Sequence, residues 1–92
     1  MVELRREILY FRQLEEESLG KSWDRFINLT LTGPELSIQE EVLVIHFFEG
    51  ISRKNKQTLH AASRGSFHHL SASEAWKLIN LMSGKSPSFY IP

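Results

Sequence analysis

Residues 11–31, FRQLEEESLGKSWDRFINLTL, carry the clearest structural pattern in the chain. The second half of this stretch places apolar side chains at i, i+4, i+7, i+8 and i+12, which is the period of a helix and not the alternation of a strand. These side chains are Leu19, Trp23, Phe26, Ile27 and Leu31. Ser18 stands directly before this pattern, where a helix N-cap belongs. We therefore predict a helix that begins after Ser18 and turns these side chains toward a core.

Three polar side chains with complementary chemistry flank that helix. Gln13 and Glu17 precede it in an extended or turn-like segment, and Arg25 lies between Trp23 and Phe26. A guanidinium held near a core needs acceptors, which a carboxylate and an amide supply. We expect Gln13, Glu17 and Arg25 to form a structural network that fixes the segment to the helix. The alternative is that all three are solvated surface groups, as such residue types mostly are.

The same stretch resembles the major homology region of retroviral and retrotransposon capsid proteins. Its pattern F-x-Q-x-E-x-E-S-L-x-x-x-W-x-R-F is most similar to the Gag proteins of plant-type Ty3/gypsy LTR retrotransposons. Leu14 departs from the family, which usually has Gly there, and Lys21 stands where Glu would complete a capping box with Ser18. The residues that match the motif are Gln13, Glu17, Trp23, Asp24, Arg25 and Phe26. The resemblance implies a role in specifying the fold, without chemistry, for the structural network of Gln13, Glu17, Arg25, Trp23 and Phe26.

The rest of the chain carries signals for four further helices. A short one is predicted over residues 2–11. Ser37 and Glu40 form a capping box for a helix over residues 38–49, and Gly50 suits the left-handed position behind it. Ser52 predicts the start of a helix over residues 53–64, with Gly65 as its stop.

The last helix follows a second capping box, Ser71 with Glu74, and Gly84 closes it. Residues 83–92 are predicted to be an irregular tail behind a single domain over residues 1–82. The fold class is therefore all-α, a small bundle of about five short helices. The segments HFFEGIS, LHAASRGSF and SEAWKLI also resemble plant-type Gag, so the resemblance covers roughly residues 8–82 and implies a fold like the retroviral capsid C-terminal domain.

The predicted helix over residues 38–49 is apolar almost all round, so two of its sides must be buried against other residues. Ile38, Val42 and Ile45 form one face, which we expect in the core. The resemblance implies that the other side carries a homodimer interface, in which each copy offers the same patch. The residues expected there are Leu43, Val44, Phe47 and Phe48. The alternative is that the other helices wrap this helix completely.

No motif in the sequence predicts catalysis, and we expect neither an enzyme nor a cofactor. The sequence lacks a Gly-rich phosphate loop, a Gly-x-Ser-x-Gly elbow and an Asp-Thr/Ser-Gly protease motif. Cysteine is absent, and the histidines have no ligand spacing on one helix face, so no metal site is expected. They are His46, which we place at the edge of the apolar helix, and His60, His68 and His69.

The predicted fourth helix is locally basic. We interpret Arg53, Lys54, Lys56 and Arg64 as a solvated helix face. The alternative is that this helix reads DNA in a helix-turn-helix arrangement. Lys+Arg and Asp+Glu are both 11, however, so no net field draws the whole chain to nucleic acid.

Taken with the resemblance, these features predict the C-terminal lobe of a Gag capsid protein of a Ty3/gypsy-type LTR retrotransposon. The implied function is structural: homodimerisation and assembly of virus-like particles, with other Gag lobes as partners. We expect a cytoplasmic protein without membrane contact, which meets nucleic acid only indirectly through the full polyprotein. The alternatives are a domesticated Gag-derived protein-interaction module and a small helical nucleic-acid-binding domain.

Overall fold

The computed structural model describes residues 2–31 and 39–85. In these residues five α-helices and one short 3-10 turn are present and no strand forms, which confirms the predicted all-α bundle. The helices are α1 (Val2–Leu9), α2 (Leu19–Leu31), α3 (Glu40–Gly50), α4 (Arg53–Ala62) and α5 (Ala72–Met82), and the 3-10 turn (Phe67–His69) lies between the last two.

Helix α2 begins as predicted. The Ser18 hydroxyl oxygen accepts a hydrogen bond from the Lys21 N–H at 3.1 Å, which caps the first turn. Leu19, Trp23, Phe26 and Ile27 are buried, as their spacing predicted. Leu31 differs, because this last residue of the helix is 63 % exposed. The stop signal Gly33-Pro34 lies outside the described residues.

Aromatic rings fill the centre of the bundle and come from four different parts of the chain. The Trp23 ring of α2 makes edge contacts with Phe47 of α3 at 4.7 Å and with Trp76 of α5 at 5.2 Å between centroids. Phe11, from the segment before α2, contacts Phe26 at 5.0 Å. Aromatic pairs at such distances stabilise a fold beyond the area that they bury. Trp23 of α2 therefore contacts both α3 and α5 through their aromatic side chains.

Helix α3 faces the opposite way from our expectation. Val42 and Ile45, expected in the core, are 36 % and 44 % exposed, whereas Phe47 is fully buried. The aromatic side chain offers more apolar area than a branched aliphatic one, so burying it stabilises the fold more. The helix begins at Glu40, and the expected capping residue Ser37 and core residue Ile38 lie outside the described residues.

Gly50 has a different role from the predicted left-handed C′ position. It is the last residue of α3 and does not have a positive φ. Instead, the backbone of Phe11 passes so close that a Cβ added to Gly50 would collide with the Phe11 carbonyl oxygen. The Gln13 N–H then donates to the Gly50 carbonyl oxygen at 2.7 Å. Glycine is needed here for close approach of two backbones.

The signals around α4 and α5 are confirmed. Ser52 accepts from the Asn55 N–H at 3.2 Å, and both hydrogen bonds of the Ser71–Glu74 capping box form. Helix α4 ends two residues earlier than predicted, because Arg64 already has a φ of 58°. Gly65 and Gly84 have positive φ values, as expected of helix stops. Residues 86–92 of the predicted tail lie outside the described part.

Candidate functional site

The centre of the candidate site is a two-pronged ion pair between Arg25 and Glu17. Arg25 Nε donates to Glu17 Oε2 at 2.8 Å, and Arg25 Nη2 donates to Glu17 Oε1 at 2.9 Å. Arg25 Nη2 also donates to the Arg12 carbonyl oxygen at 2.8 Å, and the guanidinium carbon lies 4.4 Å from the centroid of the Phe11 ring. This planar, forked arrangement is specific to arginine, since a lysine ammonium cannot reproduce it.

The Glu17 carboxylate closes the turn that leads into α2. Its Oε1 accepts from the Leu14 N–H at 3.0 Å, in addition to the bonds from Arg25. The hydrogen bond from Arg25 holds the pKa of Glu17 below its usual value, and the same bond raises the pKa of Arg25. Leu14 does not have a positive φ and its side chain is exposed. A leucine at this position therefore causes no backbone strain in the turn.

Gln13 connects the same turn to α4, and not to Arg25 as we expected. Its Nε2 donates to the Glu17 carbonyl oxygen at 2.6 Å. Its Oε1 accepts from the Ser52 N–H at 2.8 Å and from Asn55 Nδ2 at 3.1 Å. The Arg12 carbonyl takes the place expected for the Gln13 amide beside Arg25. We call Gln13, Glu17 and Arg25 the polar network. It joins the segment before α2 to α2 itself and to the N-terminus of α4.

Trp23 and Phe26 lie on the buried side of α2, behind the polar network. The Trp23 indole Nε1 donates to Asn80 Oδ1 of α5 at 2.7 Å, and both side chains are fully buried. The sequence reasoning missed Asn80. The available signal was its position, four residues after Trp76 on the apolar side of α5. A buried amide needs a partner, and the indole N–H is one.

The polar network has the features of a structural site. The Arg25 guanidinium donates to the Glu17 carboxylate and to the Arg12 carbonyl oxygen, and the side-chain oxygen of Gln13 accepts two hydrogen bonds. Among residues 2–31 and 39–85, no three His, Cys, Asp or Glu side chains lie close enough together to hold a metal ion. No helix in this part of the chain is long and apolar enough to span a membrane.

The expected dimer patch on α3 needs correction. Phe47, Val44 and Phe48 are 0 %, 3 % and 5 % exposed, because they pack in the core of the single chain. Leu43 is half-buried against that core. These four residues therefore do not form a surface that a second copy could contact. The apolar side chains that α3 leaves at the surface are Val42 and Ile45.

Two concave apolar surfaces lie next to α5. One is a cavity of about 150 Å³ between α3, the 3-10 turn and the start of α5, lined by Ile45 and Leu70 among others, with Glu41 and His68. The second is a more open groove of about 300 Å³ between α4 and α5, lined mainly by Leu70, Leu78 and Leu81. Both surfaces are suited to an apolar side chain of a partner.

No protein-family model matches the chain, and no curated protein or solved structure matches it.

Proposed function

We propose that this chain is a structural domain of the capsid type, equivalent to the C-terminal lobe of the Gag capsid protein of a Ty3/gypsy-type LTR retrotransposon. The observation that carries the proposal is the polar network. Gln13, Glu17 and Arg25, which carry the sequence resemblance, are bonded into one unit that holds the turn before α2 in place. Such a unit fixes a rigid scaffold and performs no reaction of its own.

The proposed action is self-association, which links subunits into a particle. A rigid scaffold supports this action because contacts between copies must keep one geometry to build a closed shell. Val42 and Ile45, exposed on α3 beside the cavity, are the apolar side chains that we assign to the contact with a second copy. A weak contact is sufficient, because other Gag lobes multiply it in a lattice. The proposed location is the cytoplasm, where such particles would assemble.

A second candidate function is a protein-interaction module, derived from Gag, that binds a peptide from another protein. The observation that favours it is the open groove between α4 and α5, where Leu81 is 54 % exposed. An amphipathic peptide could place an apolar side chain in this groove. In that case the chain would act as a monomer, and α5 rather than α3 would carry the function.

Two variants that each replace an exposed apolar side chain with aspartate distinguish self-association from peptide binding. Ile45→Asp places a charge on the outward face of α3, and Leu81→Asp places the same charge beside the groove on α5. Both positions are about half exposed, so neither change should unfold the bundle. The measurement is the molecular mass by sedimentation of the wild type and both variants, from micromolar to near-millimolar protein, with helicity checked by circular dichroism.

Self-association through α3 predicts a mass that rises with concentration in the wild type and in Leu81→Asp, and stays monomeric in Ile45→Asp. A wild type that remains monomeric throughout this range would contradict the proposal and favour the interaction module. Loss of self-association in Leu81→Asp alone would show that copies meet through α5.

A further inference from the structure

The charges of this chain are separated along its length. Ten of the eleven Asp and Glu residues precede Gly50, and the eleventh is Glu74. Residues 50–73 between them carry Arg53, Lys54, Lys56 and Arg64 and no acidic residue. The same stretch holds three of the four histidines. A net charge of zero therefore conceals one strongly basic segment, which is a composition associated with anionic partners.

The fold places this basic segment at the surface. Leu59 is the one buried residue of α4, so most of the circumference of this helix faces solvent. Arg53, Lys54 and Arg64 are exposed, and in the described part of the chain no carboxylate lies within 4 Å of their charged groups. Lys56 is nearest to an acid, with its Nζ 4.0 Å from Glu49 Oε1. Three cations of α4 and its C-terminal turn are thus available to an external anion.

Exposed imidazole rings lie at the C-terminal end of the same surface. The buried ring of Phe48 stacks on Phe67 with 4.4 Å between centroids, and this contact anchors the 3-10 turn against the bundle. The anchor brings His68 beside α4, where its ring centroid lies 6.1 Å from that of His60. His60, His68 and His69 are all exposed. His60 and His68 also contact the Phe48 ring, at 5.8 and 5.2 Å, so two imidazole rings lie together at the C-terminal end of the basic helix.

We propose that this cationic face, made of Arg53, Lys54, Lys56 and Arg64 with the three histidines, binds single-stranded nucleic acid. The ten residues of α4 extend over about 15 Å, enough for the arginine and lysine side chains to contact several phosphates. The imidazole rings are surfaces on which unpaired bases stack.

A single strand fits this face better than a duplex. Stacking on His60, His68 and His69 requires bases that are not already paired and stacked. This inference is independent of the proposed self-association, because it uses neither Val42 nor Ile45.

The test is fluorescence anisotropy of a short labelled single-stranded RNA, titrated with the whole chain at several salt concentrations. The variant combines Arg53→Gln, Lys54→Gln and Arg64→Gln. Its matched control combines Arg6→Gln, Lys21→Gln and Lys77→Gln, three exposed cations from other parts of the molecule. Both variants lower the net charge equally, so a difference between them reports the position of the charges.

We expect the variant in the cationic face to bind roughly 100-fold more weakly than the wild type at about 0.1 M salt, because each lost phosphate contact is worth about 5-fold there. The dependence of log K on log salt should also become shallower by about 2 units. The control should change affinity by less than about 5-fold. Equal losses in the two variants, or no binding by the wild type at low salt, would overturn the proposal.

A second variant tests the stacking. His60→Ser with His69→Ser should weaken binding of the single strand roughly 10-fold, because two stacking surfaces are lost. The salt dependence should stay closer to that of the wild type than in the Arg53, Lys54 and Arg64 variant, because every arginine and lysine charge is kept. A duplex of the same sequence that binds as tightly as the single strand would contradict the proposal. A second result would also contradict it: the Arg53, Lys54 and Arg64 variant loses self-association but binds RNA like the wild type. The partner of this face would then be an acidic surface of a second copy.

Discussion

Helices α2 and α3 are both central to the core, yet their sequences specify orientation to different degrees. In α2 the apolar residues form one stripe and the polar residues occupy the rest, so that only one orientation buries the stripe. In α3 six apolar residues, of which two are aromatic, surround the helix between Glu41 and Glu49. Several orientations of α3 bury a similar apolar area, and fit with the neighbouring rings selects between them.

The neighbours of Phe47 explain the outcome for α3. Its ring lies 4.7 Å from that of Trp23, 5.3 Å from Phe26 and 5.7 Å from Phe11. An orientation with Val42 and Ile45 inside would leave these aromatic contacts unmade. An amphipathic helix such as α2 is therefore oriented by its own sequence, whereas a helix that is apolar all round, such as α3, is oriented by the residues that it packs against.

The greatest loss of stability is expected on the buried side of α3, and its exposed side provides the control. Phe47→Ala should lower the free energy of unfolding by about 3–5 kcal/mol, because it removes a fully buried ring from the aromatic core. Ile45→Ala, on the exposed side, should change it by less than about 1 kcal/mol. Urea unfolding followed by circular dichroism measures both. Similar losses in the two variants would mean that α3 is oriented differently from this description.

The next effect concerns the bond that ties α2 to α5. Asn80→Ala should destabilise the fold by about 1–3 kcal/mol, because it leaves the buried Trp23 indole N–H without its acceptor. Asn28→Ala, an exposed asparagine on α2, is the control and should have little effect. Thermal unfolding compares the two. If Asn80→Ala is as stable as the control, the indole has found another acceptor and α2 does not depend on this bond.

The smallest effect is the pH dependence of the polar network. Because the Arg25 bond lowers the pKa of Glu17 in the folded state, Glu17 stabilises the fold above its unfolded pKa of about 4.5. This contribution is lost as the pH falls through the lower, folded value. The pKa of Glu74 is lowered by the backbone and side chain of Ser71, so it adds a second loss in the acid range.

Glu17→Gln should remove the Glu17 part of this acid dependence and leave that of Glu74 in place. The measurement is the free energy of unfolding of the wild type and Glu17→Gln between neutral pH and pH of about 3. We expect the stability of the two proteins to converge as the pH falls. A constant difference between them over the whole range would contradict the ionic role of Glu17.

Features that depend on neighbouring residues could be predicted from the sequence. The caps at Ser18, Ser52 and Ser71 act over three residues, and the Glu17–Arg25 pair spans eight. Features that depend on distant residues could not. Gln13 bonds to groups 39 and 42 residues away, and Trp23 bonds to a side chain 57 residues away. Pairing at such separations is set by how the helices pack, which local patterns do not encode.

The same difference between local and distant contacts explains which parts of the candidate site could be predicted. Glu17 and Arg25 were found because a turn and one helix bring them together, whereas the role of Gln13 needed the position of α4. The expected dimer patch was wrong because distant rings bury it: Phe47 packs against Trp23 of α2 and Phe11 of the segment before it, and Phe48 stacks on Phe67 of the 3-10 turn. The close approach that requires Gly50 is likewise made by a distant part of the chain, the backbone of Phe11.

If the polar network is a structural unit that fixes the segment before α2, Glu17 and Arg25 must stabilise the fold together, which a double-mutant cycle measures. The measurement is the free energy of unfolding of the wild type, Glu17→Ala, Arg25→Ala and the double variant at neutral pH. Arg25 is 37 % exposed at its side chain, and solvent screening therefore holds the expected coupling to about 1 kcal/mol. We predict that the double variant is little less stable than either single variant. Additive losses, with a coupling below about 0.3 kcal/mol, would contradict this joint role.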